Sequence, residues 1–119
     1  SMMRFTMEIL TSKGFLERSP EALALMVANV RAAPTAPAAF MAQMQAIIGS
    51  DRGEIVRSIR KPTLVIHGTD DALVPVGNAH LLHERIPGSR LAILDGVGHM
   101  PMIEAPDKLA ELVLGFLSE

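Results

Sequence analysis

Apolar residues along this chain change rhythm near Lys61, from helical spacing before it to short unbroken runs after it. Ser19-Pro20-Glu21 has the make-up of a helix start, since serine can accept hydrogen bonds from free N–H groups and proline is tolerated at the first helical position. Leu23, Met26, Val27 and Val30 follow at i, i+3, i+4 and i+7, which predicts one apolar face turned inward. The stretch Ala33-Pro34-Thr35-Ala36-Pro37 breaks that helix. A second inward face is expected from Phe40, Met44, Ile47 and Ile48, ending at Gly49-Ser50. Ile55 and Ile59 mark a shorter helical turn. It must stop before Pro62, because the residue ahead of a proline is pushed out of the α region. Residues 5–16 are partly apolar but too short and uneven to assign.

After Lys61 the pattern is that of strands and crossover helices. Thr63-Leu64-Val65-Ile66, ended by Gly68, predicts a strand buried on both faces of a parallel sheet. Asn78 to Ile86 reads as a helix with Ala79, Leu82 and Ile86 inward, and Pro87-Gly88 as its turn. Arg90 to Leu94 is a second short strand. The last helix is expected from Pro106, with Leu109, Leu112, Val113 and Phe116 as its stripe and the acids of Glu104-Ala105-Pro106-Asp107 near its positive end. The expected fold class is therefore α/β: a helical segment over 2–60, then a βαβα unit over 61–119 with two parallel strands. Two strands alone leave edges exposed, which predicts pairing with another chain, most simply a homo-oligomer.

Composition narrows the function more than it names it. Of 119 residues, 49% are hydrophobic and 20% charged, with a net charge of -2. The 11 Lys and Arg are scattered and the four Phe are the only aromatics, so a nucleic-acid partner is not expected. There is no cysteine for disulfide or thiolate chemistry. No apolar stretch approaches the length of a membrane span, and no signal peptide is evident, so no membrane association is expected and the location expected is cytoplasmic. Ser1 ahead of Met2 resembles a residue left by tag removal, which would make Met2 the intended start.

The candidate chemistry lies in two loops, Gly68 to Pro75 (GTDDALVP) and Gly96 to Pro101 (GVGHMP), each leaving the C-terminal end of a predicted strand, where open α/β sheets place ligands. On these segments residues 61–119 resemble the C-terminal part of an α/β-hydrolase, whose serine, acid and histidine follow one another in chain order. The resemblance makes Asp71, three residues past the strand-ending glycine, the acid, and His99, in a Gly-His pair after the last strand, the base. Asp70 is the adjacent rival and the spacing from Gly68 favours Asp71. The alternative for Asp71 is a loop carboxylate capping the following turn, and for His99 an ordinary loop histidine. The family's nucleophile sits on a Gly-x-Ser-x-Gly turn, and no serine here has glycine two positions away on both sides. With 119 residues against the roughly 200–250 common for single-domain α/β proteins, the chain resembles the second half of an enzyme.

The resemblance also makes residues 15–60 a cap over the active site, where Met26, Met41 and Met44, with Met100 beside His99, are candidate substrate-binding residues. The competing reading of such methionines is that they fill gaps in a core. Gly49-Ser50-Asp51-Arg52-Gly53 fits the Gly-x-Asp-x-Gly turn of relatives with an aspartate nucleophile, but it follows helical spacing rather than a buried strand. His80 and His83 share a helix face without the further ligands a metal site needs. His67, at a strand end, reads as packed or hydrogen-bonded. No metal or cofactor is expected, because serine–histidine–acid chemistry requires none.

The resemblance implies a serine hydrolase portion acting on a small carboxylic ester, lactone or related carbonyl compound, and the GHMP segment followed by Glu104 and Pro106 looks most like the enol-lactonase, haloperoxidase and meta-cleavage-product hydrolase branch. The portion carries acid and base, and is inactive until a nucleophile-bearing N-terminal half joins it and a small-molecule substrate can bind. The alternative is a non-catalytic interaction or assembly module derived from the same fold.

Overall fold

The computed structural model describes residues 1–119. Helices α1 (Met2–Leu10), α2 (Phe15–Arg18), α3 (Pro20–Ala32) and α4 (Pro37–Ile48) come first, followed by a 3-10 turn at Ile55–Ser58. Then come β1 (Leu64–Gly68), α5 (Gly77–Arg85), β2 (Arg90–Leu94), the short α6 (Pro101–Glu104) and α7 (Pro106–Leu117). β1 and β2 pair in parallel, with Leu64 opposite Arg90 and Gly68 opposite Leu94. The α/β class and the βαβα order expected from the sequence are both present. The parallel register matters for function, because it brings the C-terminal ends of both strands, and the loops that leave them, to one edge.

Residues 5–16, too uneven in sequence to assign, fall in and between two helices, α1 and α2. In α1, Ser1 supplies the N-cap, its hydroxyl accepting from the Arg4 N–H at 3.3 Å. Met3, Met7 and Leu10 then fall on one side and reach the core. That core is a cluster of Met7, Leu16 and Met26, surrounded by Met3, Leu10, Phe15 and Leu23 and, from the far end of the chain, Met100 and Ile103. The helical segment and the βαβα unit therefore share packing beside the loop that carries His99.

Several expectations about burial need correction. β1 is not buried on both faces: Val65 and Gly68 are covered and its other positions only half-covered. A two-stranded sheet has open edges and too few layers to enclose a strand. In α3 the inward face holds for Leu23, Met26 and Val27 and stops before Val30, which is exposed. In α5 Ala79 is inward and Leu82 is exposed, while Ile86 is buried just beyond the helix. In α7 Leu109, Leu112 and Phe116 are half-covered but Val113 is exposed. The largest departure is α4, whose predicted inward residues Phe40, Ile47 and Ile48 all face solvent, Ile48 at 84% exposure. Only Met44 is partly covered. Its sequence is apolar nearly all round, a pattern suited to a helix covered on most sides, and nothing in the chain covers it.

Candidate active site

The loops after β1 and β2 are stitched together before either reaches its functional residue. Thr69 N–H donates to the Leu94 carbonyl at 3.0 Å, Asp70 N–H to the Val97 carbonyl at 2.9 Å, and Gly96 N–H to the Thr69 hydroxyl at 2.8 Å. Gly68 makes the approach possible: a Cβ there would run into the Val97 carbonyl and meet the Gly98 carbonyl at 2.6 Å. This is backbone against backbone, so no side-chain movement relieves it.

Asp71 divides its two oxygens between two tasks. Oδ1 accepts the N–H groups of Leu73 at 2.9 Å and Val74 at 2.8 Å, which fixes the turn after β1. Oδ2 lies 2.8 Å from Nδ1 of His99. The loop-capping alternative and the pairing with histidine are thus both realised by one carboxylate. Its side chain is only 4% exposed. Burial, the largest single influence, pushes its pKa up, but hydrogen bonds from Val74, from His99 and from Leu73, with the charge of His99, outweigh it and hold the carboxyl below its ordinary value.

An ionised carboxylate can only accept hydrogen bonds, so Nδ1 of His99 must be the donor. That tautomer leaves the Nε2 lone pair free to take a proton, and the His99 side chain is 36% exposed, so solvent-side groups can reach it. This is the arrangement in which imidazole acts as a general base and a carboxylate orients it.

His67 lies on the other side of the same carboxylate. Its Nε2 is 2.8 Å from the Val74 carbonyl and 3.4 Å from Asp71 Oδ2. The carbonyl accepts only, so Nε2 carries the proton and His67 braces the turn that presents Asp71. Asp70, the rival, is exposed and accepts from the Thr69 hydroxyl at 3.0 Å. Gly49-Ser50-Asp51-Arg52-Gly53 follows α4, and Asp51 accepts from Gly53 N–H in an exposed turn, the wrong context for a nucleophile elbow. His80 is exposed, and His83 Nδ1 pairs with the Ser89 hydroxyl at 3.0 Å, a link between α5 and the start of β2.

A cavity of about 320 Å³ opens beside the pair, walled by Ile66, His67, Val74, Pro101 and Met102. None of the four methionines named from the sequence lines it. Met26 is buried in the core cluster and Met100 packs against that cluster. Met41 is exposed and Met44 half-covered on α4. Met102, three residues past His99, lines the cavity instead. The sequence signal for it is its place in the short segment that follows His99, at the start of α6. Glu104 also departs from expectation. It ends α6, and instead of serving the start of α7 it accepts backbone N–H groups from Ser12 and Gly98.

A sequence model described as the alpha/beta hydrolase family matches residues 2–112. The chain belongs to that family. It is 36% identical over 77 residues to the pimeloyl-[acyl-carrier protein] methyl ester esterase of Aromatoleum aromaticum, covering 65% of this chain and 31% of that protein. Among solved structures it superposes on the enol-lactonase from Burkholderia xenovorans LB400 with a TM-score of 0.89 and 25% identity, over 99% of this chain and 44% of that one. A serine hydrolase involved in carbazole degradation gives a TM-score of 0.79 and 32% identity, over 98% and 46%. The chain thus spans less than half the length of these family members, and the family's esterases and lactonases lie among its relatives. No helix is long and apolar enough to cross a membrane.

Proposed function

We propose that this chain is the acid–base portion of a serine hydrolase acting on a small carboxylic ester, lactone or related carbonyl compound. Asp71 is the acid and His99 the base; helices α1 to α4 serve as the cap, and the nucleophile comes from a segment bearing Gly-x-Ser-x-Gly. The observation that carries this reading is the 2.8 Å contact between Asp71 Oδ2 and His99 Nδ1, with the carboxyl held in its charged form. The relatives named as esterase and enol-lactonase support the substrate class.

In this reading a hydroxyl proton passes to Nε2 of His99 as the serine attacks the carbonyl carbon. Asp71 stabilises the imidazolium, and the same proton is returned to the leaving group. The chain alone holds neither attacking atom nor nucleophile elbow, and a single lost oxyanion donor lowers the rate by about 10²–10³. It is therefore inactive by itself. The uncovered edges and α4 seat the nucleophile-bearing portion, and a second copy takes that place when the portion is absent.

Two assays test the proposal. The purified chain treated with a fluorophosphonate should show no adduct by intact mass, and an adduct lost on His99→Ala would overturn the incomplete site. The reading frame extended upstream of Met2 should encode Gly-x-Ser-x-Gly, and its product should hydrolyse short-chain p-nitrophenyl esters. In that product Asp71→Asn should lower kcat by about 10⁴. An upstream frame without the motif would favour the non-catalytic module.

A further inference from the structure

The histidine loop is held from a third direction, besides Asp71 and its own strand. Residues 10–12, which link α1 to α2, run against it. The Leu10 carbonyl accepts from the His99 N–H at 3.1 Å. Thr11 and Ser12 are buried, with the Thr11 hydroxyl turned back to the Met7 carbonyl at 3.0 Å. Gly98 is buried against them: a Cβ on it would lie 2.6 Å from Ser12 N and 2.6 Å from the Thr11 carbonyl carbon. Such close backbones leave two N–H groups that neither chain segment can satisfy.

Glu104 satisfies both. One oxygen, Oε1, lies 2.8 Å from Ser12 N, and the other, Oε2, lies 2.9 Å from Gly98 N. Only a carboxylate suits this role at this reach. It offers two acceptors, whereas an amide offers one and would turn its NH₂ toward the second donor. Both contacts are charge-assisted: one grips the Gly98 N–H, one residue ahead of His99, and the other grips Ser12 on the α1–α2 link. The imidazole must meet an Asp71 carboxylate that the Leu73 and Val74 N–H groups already hold fixed. Small errors in the His99 backbone therefore translate directly into a longer Nδ1 to Oδ2 distance.

We propose that Glu104 is a positioning residue for His99, setting the backbone from which the imidazole reaches Asp71 and tying that backbone to the α1–α2 segment. The inference rests on the reading of Asp71 and His99 as the acid–base pair. It adds that the helical segment contributes to the alignment of the base and does more than cover the site.

The test uses NMR of the whole ¹⁵N-labelled chain, following the downfield Nδ1–H proton of His99. In the wild-type protein that signal should be present, and it should vanish in Asp71→Asn. In Glu104→Gln its exchange with water should be faster by about tenfold or more, the factor expected for losing one charge-assisted hydrogen bond. Backbone amide protection in β1 and β2 should be unchanged. Glu104→Asp keeps the charge but shortens the reach, and should give the same faster exchange on a second background. Unchanged exchange in both variants, or unfolding of both, would overturn the proposal, since Glu104 would then serve the fold rather than the histidine. A wild-type signal that survives Asp71→Asn would instead overturn the reading of the pair itself.

Discussion

At Asp71 one carboxylate closes a turn and orients an imidazole, so its removal should be felt in stability as well as in chemistry. Three hydrogen bonds to a covered charge are lost or weakened in Asp71→Asn. Hydrogen bonds to charged groups contribute about 1.5–3 kcal/mol each, and the amide retains part of them, so a net loss of about 1–3 kcal/mol is expected at neutral pH. The sign with pH follows from the lowered pKa. A carboxyl that ionises more readily folded than unfolded stabilises the fold fully above its unfolded pKa, about 3.9, and loses that advantage as pH falls through the folded value. Thermal melts of wild type and Asp71→Asn should therefore differ most at pH 6–7 and converge below about pH 4. Gly68→Ala is a sharper case. Its methyl group meets the Val97 carbonyl, so a loss of about 3 kcal/mol is expected in denaturant unfolding. That Asp71 and His99 meet was legible in the sequence because the resemblance places each on a loop leaving a strand, and parallel strands bring those loops to one edge. Glu104 was not. Its donors are Gly98, close in sequence, and Ser12, 92 positions away, and only packing brings those two together.

Elements were read well where periodicity coincided with packing and poorly where it did not. β1, β2, α5 and α7 stand where the apolar runs and helical stripes placed them. Helix α1 is hard to read from the sequence because only three of its apolar positions, Met3, Met7 and Leu10, point inward, and because its cap is the first residue, Ser1. For α4 the sequence fixes the helix but not its inward side, since apolar residues surround most of it. Its exposed face yields a prediction: Ile47→Glu with Ile48→Glu should change the unfolding free energy by less than about 0.5 kcal/mol, because surface positions rarely contribute more. The same pair of changes should reduce binding of a hydrophobic dye. Gly115 in α7 tests helix propensity alone. A Cβ there has no neighbour within 4 Å, so Gly115→Ala should stabilise the chain by about 0.5–1 kcal/mol, read as a higher midpoint in urea.

The whole molecule is more open than its mass requires. A compact monomer of 12.8 kDa exposes about 6,300 Å², whereas this chain exposes 8290 Å². Its radius of gyration is 16.1 Å, against about 13.5 Å for a compact chain of 119 residues. The excess of about 2,000 Å² on one chain exceeds the roughly 800 Å² that each partner gives to an interface of standard size and fits the larger, obligate kind; the exposed apolar residues of α4 are part of it. Sedimentation velocity should therefore show association that rises with concentration. The Ile47→Glu, Ile48→Glu double variant should weaken it. A monomer at all concentrations would remove the support that surface area lends to a missing partner. This openness could not be read from composition, which is that of an ordinary globular chain; it depends on how many layers cover the sheet.

The bond between Asp71 and His99 spans 28 positions, which hold one crossover helix and one strand. Gly68 and Gly98, which allow the two loops to meet, lie in or beside that same stretch, and Glu104 follows a few residues later. In evolutionary terms the pair is a heritable cassette. A recombination that moves the chain from β1 to α6 carries both partners together, and its host must supply the backbone that takes the second oxygen of Glu104 and the His99 N–H, with the apolar cluster on which Met100 and Ile103 pack.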